Sequence, residues 1–182
     1  MKQKKLLYCA LIVVWITLFF FSTELVLLVN GYYLNKLQID VSSQSQDVLF
    51  HLETFSSPEG LLKKVYFSGW AFNKNYQPNS ERHVSLILKE ANFAYEIQTN
   101  SSERGDVDVY FSDLDLGEVD LGFGGKFSIL AIDDGTYELF IKVWEEGKEP
   151  TLKSTNQFFL KKKNAFMQIS SEDLTVNNNN ER

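Results

Sequence analysis

Hydrophobic positions follow two regimes along the chain. Sixteen residues from Leu6 to Phe21 pass without a charge, and after Ser22, Thr23 and Glu24 the apolar character resumes from Leu25 to Val29. As a helix, the 24 residues of 6–29 span about 36 Å, enough to cross a hydrocarbon core of about 30 Å with some tilt. The run predicts one N-terminal transmembrane α-helix. Beyond residue 47 the apolar period is two, the mark of half-buried strands. Val84, Leu86 and Leu88 share one face, opposite Ser85 and Lys89. Phe93, Tyr95 and Ile97 alternate with Ala94, Glu96 and Gln98; Tyr137, Leu139, Ile141 and Val143 alternate with Glu138 and Lys142, while Phe140 and Trp144 join that second face. Further strands are predicted over 47–54, 64–73, 126–132 and 154–161. Seven or eight short strands predict an all-β fold, an antiparallel β-sandwich.

Two local signals refine that expectation. Asp133-Asp134-Gly135-Thr136 separates two apolar strands, and Gly135 is free to take the positive φ of a tight connection. The stretch from Asp133 to Leu139 resembles the tyrosine-corner region of immunoglobulin-like domains, with Leu139 where antibody domains carry a cysteine. That resemblance implies an immunoglobulin-like sandwich in which Tyr137 and the packing tryptophan, Trp70, belong to the core.

The expected organisation is a basic cytoplasmic tail (1–5), the membrane helix (6–29), a polar juxtamembrane linker (30–46), the sandwich (47–163) and a disordered tail (164–182) that contains Asn177 to Asn180. Lys2, Lys4 and Lys5 precede the apolar run without an acid, which orients the tail inward and the domain outward. The protein is thus expected in the cell membrane as a single-pass chain. Cleavage as a signal peptide is disfavoured because Val29-Asn30-Gly31 is a poor small-x-small site and the run is too long. Glu24, by helix rise, falls near the outer edge of the bilayer; it snorkels to the interface or meets a polar partner helix.

Charge and cysteine narrow the role. From Leu25 onward 15 Lys and Arg stand against 23 Asp and Glu, a net of −8. An acidic domain repels phosphate backbones, so nucleic acid is not an expected partner. The one cysteine, Cys9, lies in the apolar run, so no intrachain disulfide forms. An outward domain without disulfides fits a Gram-positive bacterial envelope.

Catalytic patterns are thin. His51 and His83 are the two histidines, neither in a metalloprotease motif, and there is no Gly-x-Ser-x-Gly or phosphate-cradling glycine loop. No enzyme activity and no cofactor are expected. Asp106, Asp108, Asp113, Asp115, Glu118 and Asp120 fall within fifteen residues. Asp113, Asp115, Glu118 and Asp120 are weak Ca²⁺ candidates; the segment fits only part of an EF-hand loop, and a solvated acidic loop is the plainer reading. Arg104-Gly105-Asp106 also matches an integrin-type tripeptide, and Asn100-Ser101-Ser102 a glycosylation sequon.

Ser68-Gly69-Trp70-Ala71-Phe72, then Arg104-Gly105-Asp106-Val107, Gly122-Phe123, Phe127-Ser128-Ile129 and Gly135-Thr136-Tyr137-Glu138-Leu139 follow one another in an order that resembles accessory β-sandwich domains found with bacterial surface-polysaccharide glycosyltransferases. The resemblance covers most of 65–143. It implies an association with envelope glycan assembly, not transferase activity, since the chain has no nucleotide-sugar domain. Arg104 and Asp106 in that motif either pair to pin a loop or contact glycan. The candidate ligand-binding residues are Tyr66, Trp144, Arg104 and Asp106, with Phe140 a further surface aromatic. The expected partners are the lipid bilayer, a cell-surface polysaccharide, and a membrane glycosyltransferase or transporter. Two alternatives stand beside polysaccharide binding: an interaction subunit docking through its helix and Glu24 onto a multi-pass membrane enzyme or transporter, and a calcium-dependent surface adhesin.

Overall fold

The computed structural model describes residues 11–17, 34–37, 46–75, 80–114, 116 and 120–171. The chain divides into two compact units, Met1–Tyr32 and Tyr33–Arg182. In the first, residues 11–17 form a helix, α1, with exposed side chains. No helix among the described residues is long and apolar enough to cross a membrane; the rest of the predicted span, Glu24 included, lies outside them.

The second unit is mostly β. Its strands are β1 (Leu34–Leu37), β2 (Val48–Phe55), β3 (Lys64–Asn73), β4 (Arg82–Lys89), β5 (Ala94–Gln98), β6 (Asn100–Ser102), β7 (Gly122–Ser128), β8 (Gly135–Glu145), β9 (Thr151–Lys162) and β10 (Ala165–Ile169). They form a six-stranded sheet, β1-β5-β4-β8-β9-β10, and a four-stranded sheet, β2-β3-β7-β6, antiparallel throughout. Alternation places Val65, Phe67, Phe123 and Phe127 of the smaller sheet against Leu86, Ile97, Leu139, Ile141 and Phe159 of the larger one in a single buried cluster. That interior is the main source of stability, because burial of apolar surface is the dominant favourable term in folding.

The predicted boundaries move at both ends. Leu34–Leu37 lies within the expected linker, yet pairs with β5 as an edge strand, and Lys36 reaches Asp133 at 2.6 Å and covers the Phe93 ring. Ala165–Ile169 lies in the expected disordered tail, yet pairs with β9; Phe166 is buried and stacks on Phe159 with ring centroids 5.0 Å apart. Both strands are too short to carry a readable alternation, and neighbouring strands hold them. Residues 1–5 and 172–182 lie outside the described set.

The connection before β8 also differs from the expected tight hairpin. The predicted strand over 126–132 ends at Ser128, and a 3-10 turn, Ile129–Ala131, carries the chain from the four-stranded to the six-stranded sheet. Among the described residues Gly60 and Gly147, in other connections, take positive φ and Gly135 does not, because a crossover between layers does not demand the left-handed backbone of a two-residue hairpin. Tyr137 is fully buried, and its hydroxyl donates to the Asp133 carbonyl at 2.8 Å. Burial holds this phenol above its ordinary range.

The acidic segment is partly helical. The helix α2 (Gly105–Tyr110) packs Val107 with Leu116, Leu121 and Phe72, against Trp70 and Phe111, on the outer side of the four-stranded sheet. Trp70 therefore does not fill the space between the sheets. It is half-buried, stacked on Phe72 at 5.8 Å and edge-on to Phe111 at 5.5 Å.

Candidate functional site

The chain's nominated aromatics separate onto different surfaces. Trp144 projects from the outer face of the six-stranded sheet. Tyr66 is 43% exposed on the outer face of the four-stranded sheet, between the inward-facing Val65 and Phe67. Arg104 and Asp106 stand at the start of α2. The four residues do not converge on one site. Phe140 is not a surface residue at all: only 2% exposed, it clusters with Ile87, Ala94 and Leu152 on the outer face of the larger sheet.

Arg104 pins a loop. Its Nε and Nη2 donate to the two carboxylate oxygens of Asp106 at 2.8 and 2.6 Å, and Nη2 also reaches Glu53 of β2 at 2.6 Å. This planar two-point contact is the geometry a guanidinium favours. Gly122 makes room for it, since a Cβ there would lie 2.8 Å from Arg104 Cγ. The hydrogen bonds from Arg104 lower the Asp106 pKa to about 2. A carboxyl depressed in the folded state stabilises fully above its unfolded pKa of about 4, and that contribution is lost as pH falls towards the folded value. Asp106→Asn is therefore expected to lower the unfolding temperature at pH 7, with the gap to the parent chain closing between about pH 4 and pH 2; thermal unfolding across that range checks it, and a gap that persists at pH 2 contradicts it.

Among the described residues no group of three or more His, Cys, Asp or Glu is placed to hold a metal ion. Asp113 and Asp120 are exposed, whereas Asp115 and Glu118 lie outside the described residues.

A concave surface does form beside Trp144. In the six-stranded sheet His83 of β4 pairs across with Trp144 of β8, and their rings stack with centroids 5.3 Å apart and planes 21° apart. Next along the outer face come Lys142 and Glu96, joined at 2.8 Å, with the Ser85 hydroxyl donating to the same Glu96 oxygen at 2.7 Å. These residues, with Gln98 and Pro150, line a groove of about 390 Å³. It continues around the sheet edge. Between β5 and β6 a single residue, Thr99, carries the chain from one sheet to the other, and its hydroxyl donates to the Val84 carbonyl at 2.6 Å. The switch opens a second basin of about 330 Å³ lined by Asn100, Ser101, Arg82 and Gly122, which shares His83, Val84 and Thr99 with the first.

Together the basins make a trough with an aromatic wall, amides and hydroxyls. Trp144 was legible in the sequence as an outward aromatic. His83, Gln98, Thr99 and Asn100 were not, because only the sheet switch at Thr99 brings the end of β5 and the start of β6 beside the start of β4. Chemically, the trough offers ring stacking and neutral hydrogen bonding in a pocket of ordinary ligand size. No family model matches the chain, and neither a curated protein nor a solved structure does.

Proposed function

We propose that this chain is a non-catalytic accessory protein, anchored in the cell membrane by residues 6–29 with its N-terminus cytoplasmic, whose outward β-sandwich binds or positions an envelope polysaccharide. The trough beside Trp144 is the observation that carries this reading. An indole next to amide and hydroxyl groups suits the two characters of a sugar ring, an apolar C–H face and a rim of hydroxyls. The immunoglobulin-like reading of the domain is supported by strand order: β2-β3-β7-β6 facing β5-β4-β8-β9 corresponds to the A-B-E-D and C′-C-F-G arrangement of such sandwiches. The Tyr137 hydroxyl bond to the Asp133 carbonyl, four residues upstream, adds to it. The motif order of the surface-polysaccharide accessory domains points to the same ligand class.

Binding of the detergent-solubilised full chain to immobilised envelope polysaccharide, purified from its own organism, tests the reading. Trp144→Ala is expected to weaken retention at least tenfold, a loss of about 1.4 kcal/mol. Because Trp144 is half-buried rather than interior, the unfolding temperature should drop by only a few degrees. Tyr66→Ala, on the opposite surface, should retain full binding. Equal retention of Trp144→Ala and the parent chain overturns the assignment.

A further inference from the structure

We propose that the trough takes a stretch of uncharged glycan chain at least two sugar residues long, with one residue against Trp144 and the next beside Asn100 and Ser101. This deepens the reading above and rests on it.

The first argument is length. Trp144 pairs with His83 across β8 and β4, and Ser85 pairs with Gln98 across β4 and β5. The aromatic end and the Asn100 end thus stand two strand spacings apart, about 10 Å. That is longer than one pyranose ring. The two basins meet at His83, Val84 and Thr99, so a ligand occupying both runs without interruption across the edge of the sheet. Neither basin by itself presents both an indole and the Asn100 amide.

The second argument is charge. The ionic groups along the trough already have partners. Lys142 is held by Glu96 at 2.8 Å, both side chains largely shielded, and His83 lies 3.0 Å from Glu81. Arg82 turns its Nη1 onto the Ala71 carbonyl at 2.6 Å. The side-chain amides of Gln98 and Asn100, by contrast, make no hydrogen bond to other described residues, and each is exposed. An anionic sugar would have to draw Lys142 away from Glu96, leaving a carboxylate without its partner, or draw Arg82 away from the groups that hold it. A neutral sugar hydrogen-bonds to the amides and leaves that pair intact.

Fragments of the same purified polysaccharide, made by partial hydrolysis and separated by size and by charge, provide the probes. Calorimetric titration into the full chain should show affinity rising at least tenfold from the monosaccharide to the tri- or tetrasaccharide among neutral fragments, then levelling. Asn100→Ala should remove most of that gain while leaving the unfolding temperature in place. Trp144→Ala should weaken fragments of every length. Tight binding that is already complete with a monosaccharide, or a preference for the anionic fragments, overturns this inference and leaves glycan binding standing. If neither the fragments nor the intact polysaccharide binds, the underlying reading of the trough falls instead.

Discussion

Replacing Lys148 with Met is expected to destabilise the full chain by about 3–5 kcal/mol, the cost of leaving a buried charge without its partner. Glu145 ends β8 on the inward-facing side and is completely buried. One of its carboxylate oxygens accepts from the Asn73 amide of β3 at 2.8 Å, and the other from Lys148 Nζ at 2.5 Å. Asn73 in turn accepts from the Thr151 hydroxyl at 2.9 Å. The network ties the last residue of β3, in one sheet, to β8 and β9 in the other, closing that end of the two-sheet core with polar groups whose hydrogen bonds are satisfied. Lys148 is itself partly solvated and also donates to the Asn75 carbonyl at 2.9 Å, so Glu145→Gln, which keeps an acceptor for Asn73 and leaves the ammonium to that carbonyl and to water, should cost only about 1 kcal/mol, as for one ordinary hydrogen bond. Urea unfolding of the two variants reads the difference; if both are near neutral, the carboxylate does not hold the sheets together.

A second large effect is expected at Gly69. A Cβ at this position would stand 2.2 Å from the His51 carbonyl oxygen and 3.0 Å from the Phe123 ring. The close approach follows from the irregular register of β2 against β3, where pairing shifts between Leu52 and Thr54 beside Gly69. The obstacle is backbone, which cannot swing aside as a side chain can. Gly→Ala ordinarily gains about 0.4–1 kcal/mol from a stiffer unfolded chain, but forced overpacking in a core costs typically 1–3 kcal/mol and sometimes more. Sterics win, and Gly69→Ala should lose about 3 kcal/mol or fail to fold. Gly124→Ala serves as the contrast, since its nearest contact would be an ordinary 3.4 Å, and it should change stability by less than about 1 kcal/mol. Similar losses at both positions would mean that the bulge does not set the requirement.

Much of the two-sheet fold was legible because its strands keep one face inward. Lys64–Asn73 is the strand that alternation predicts, and the buried faces of β4, β5 and β8 are those of the pattern. Misreadings occur where a second face is also covered. Trp70 and Phe72 lie under α2, and Phe140 lies in a buried outer cluster, so period two no longer separates interior from surface. The helix α2 itself has the composition Gly-Asp-Val-Asp-Val-Tyr, which alternates like a strand; its helical form goes with tertiary contact through Val107 rather than propensity. Asn73 and Glu145 stand 72 residues apart, and no local spacing announces such a pair. The trough was half visible for the same reason: Trp144 shows in the strand pattern, while its neighbours across the sheet switch are a product of topology.

The proposed glycan binding requires that the β domain face outward while residues 1–5 face the cytoplasm. The single native cysteine makes this directly measurable. In a Cys9→Ala background, one cysteine is introduced at Leu61, which is 90% exposed in the β2–β3 connection, and in a separate variant at Lys2. Intact cells expressing each variant are treated with a membrane-impermeant maleimide. Labelling of Leu61→Cys in intact cells, with Lys2→Cys labelled only after permeabilisation, is the predicted result. Labelling of Leu61→Cys only after the membrane is opened would contradict it.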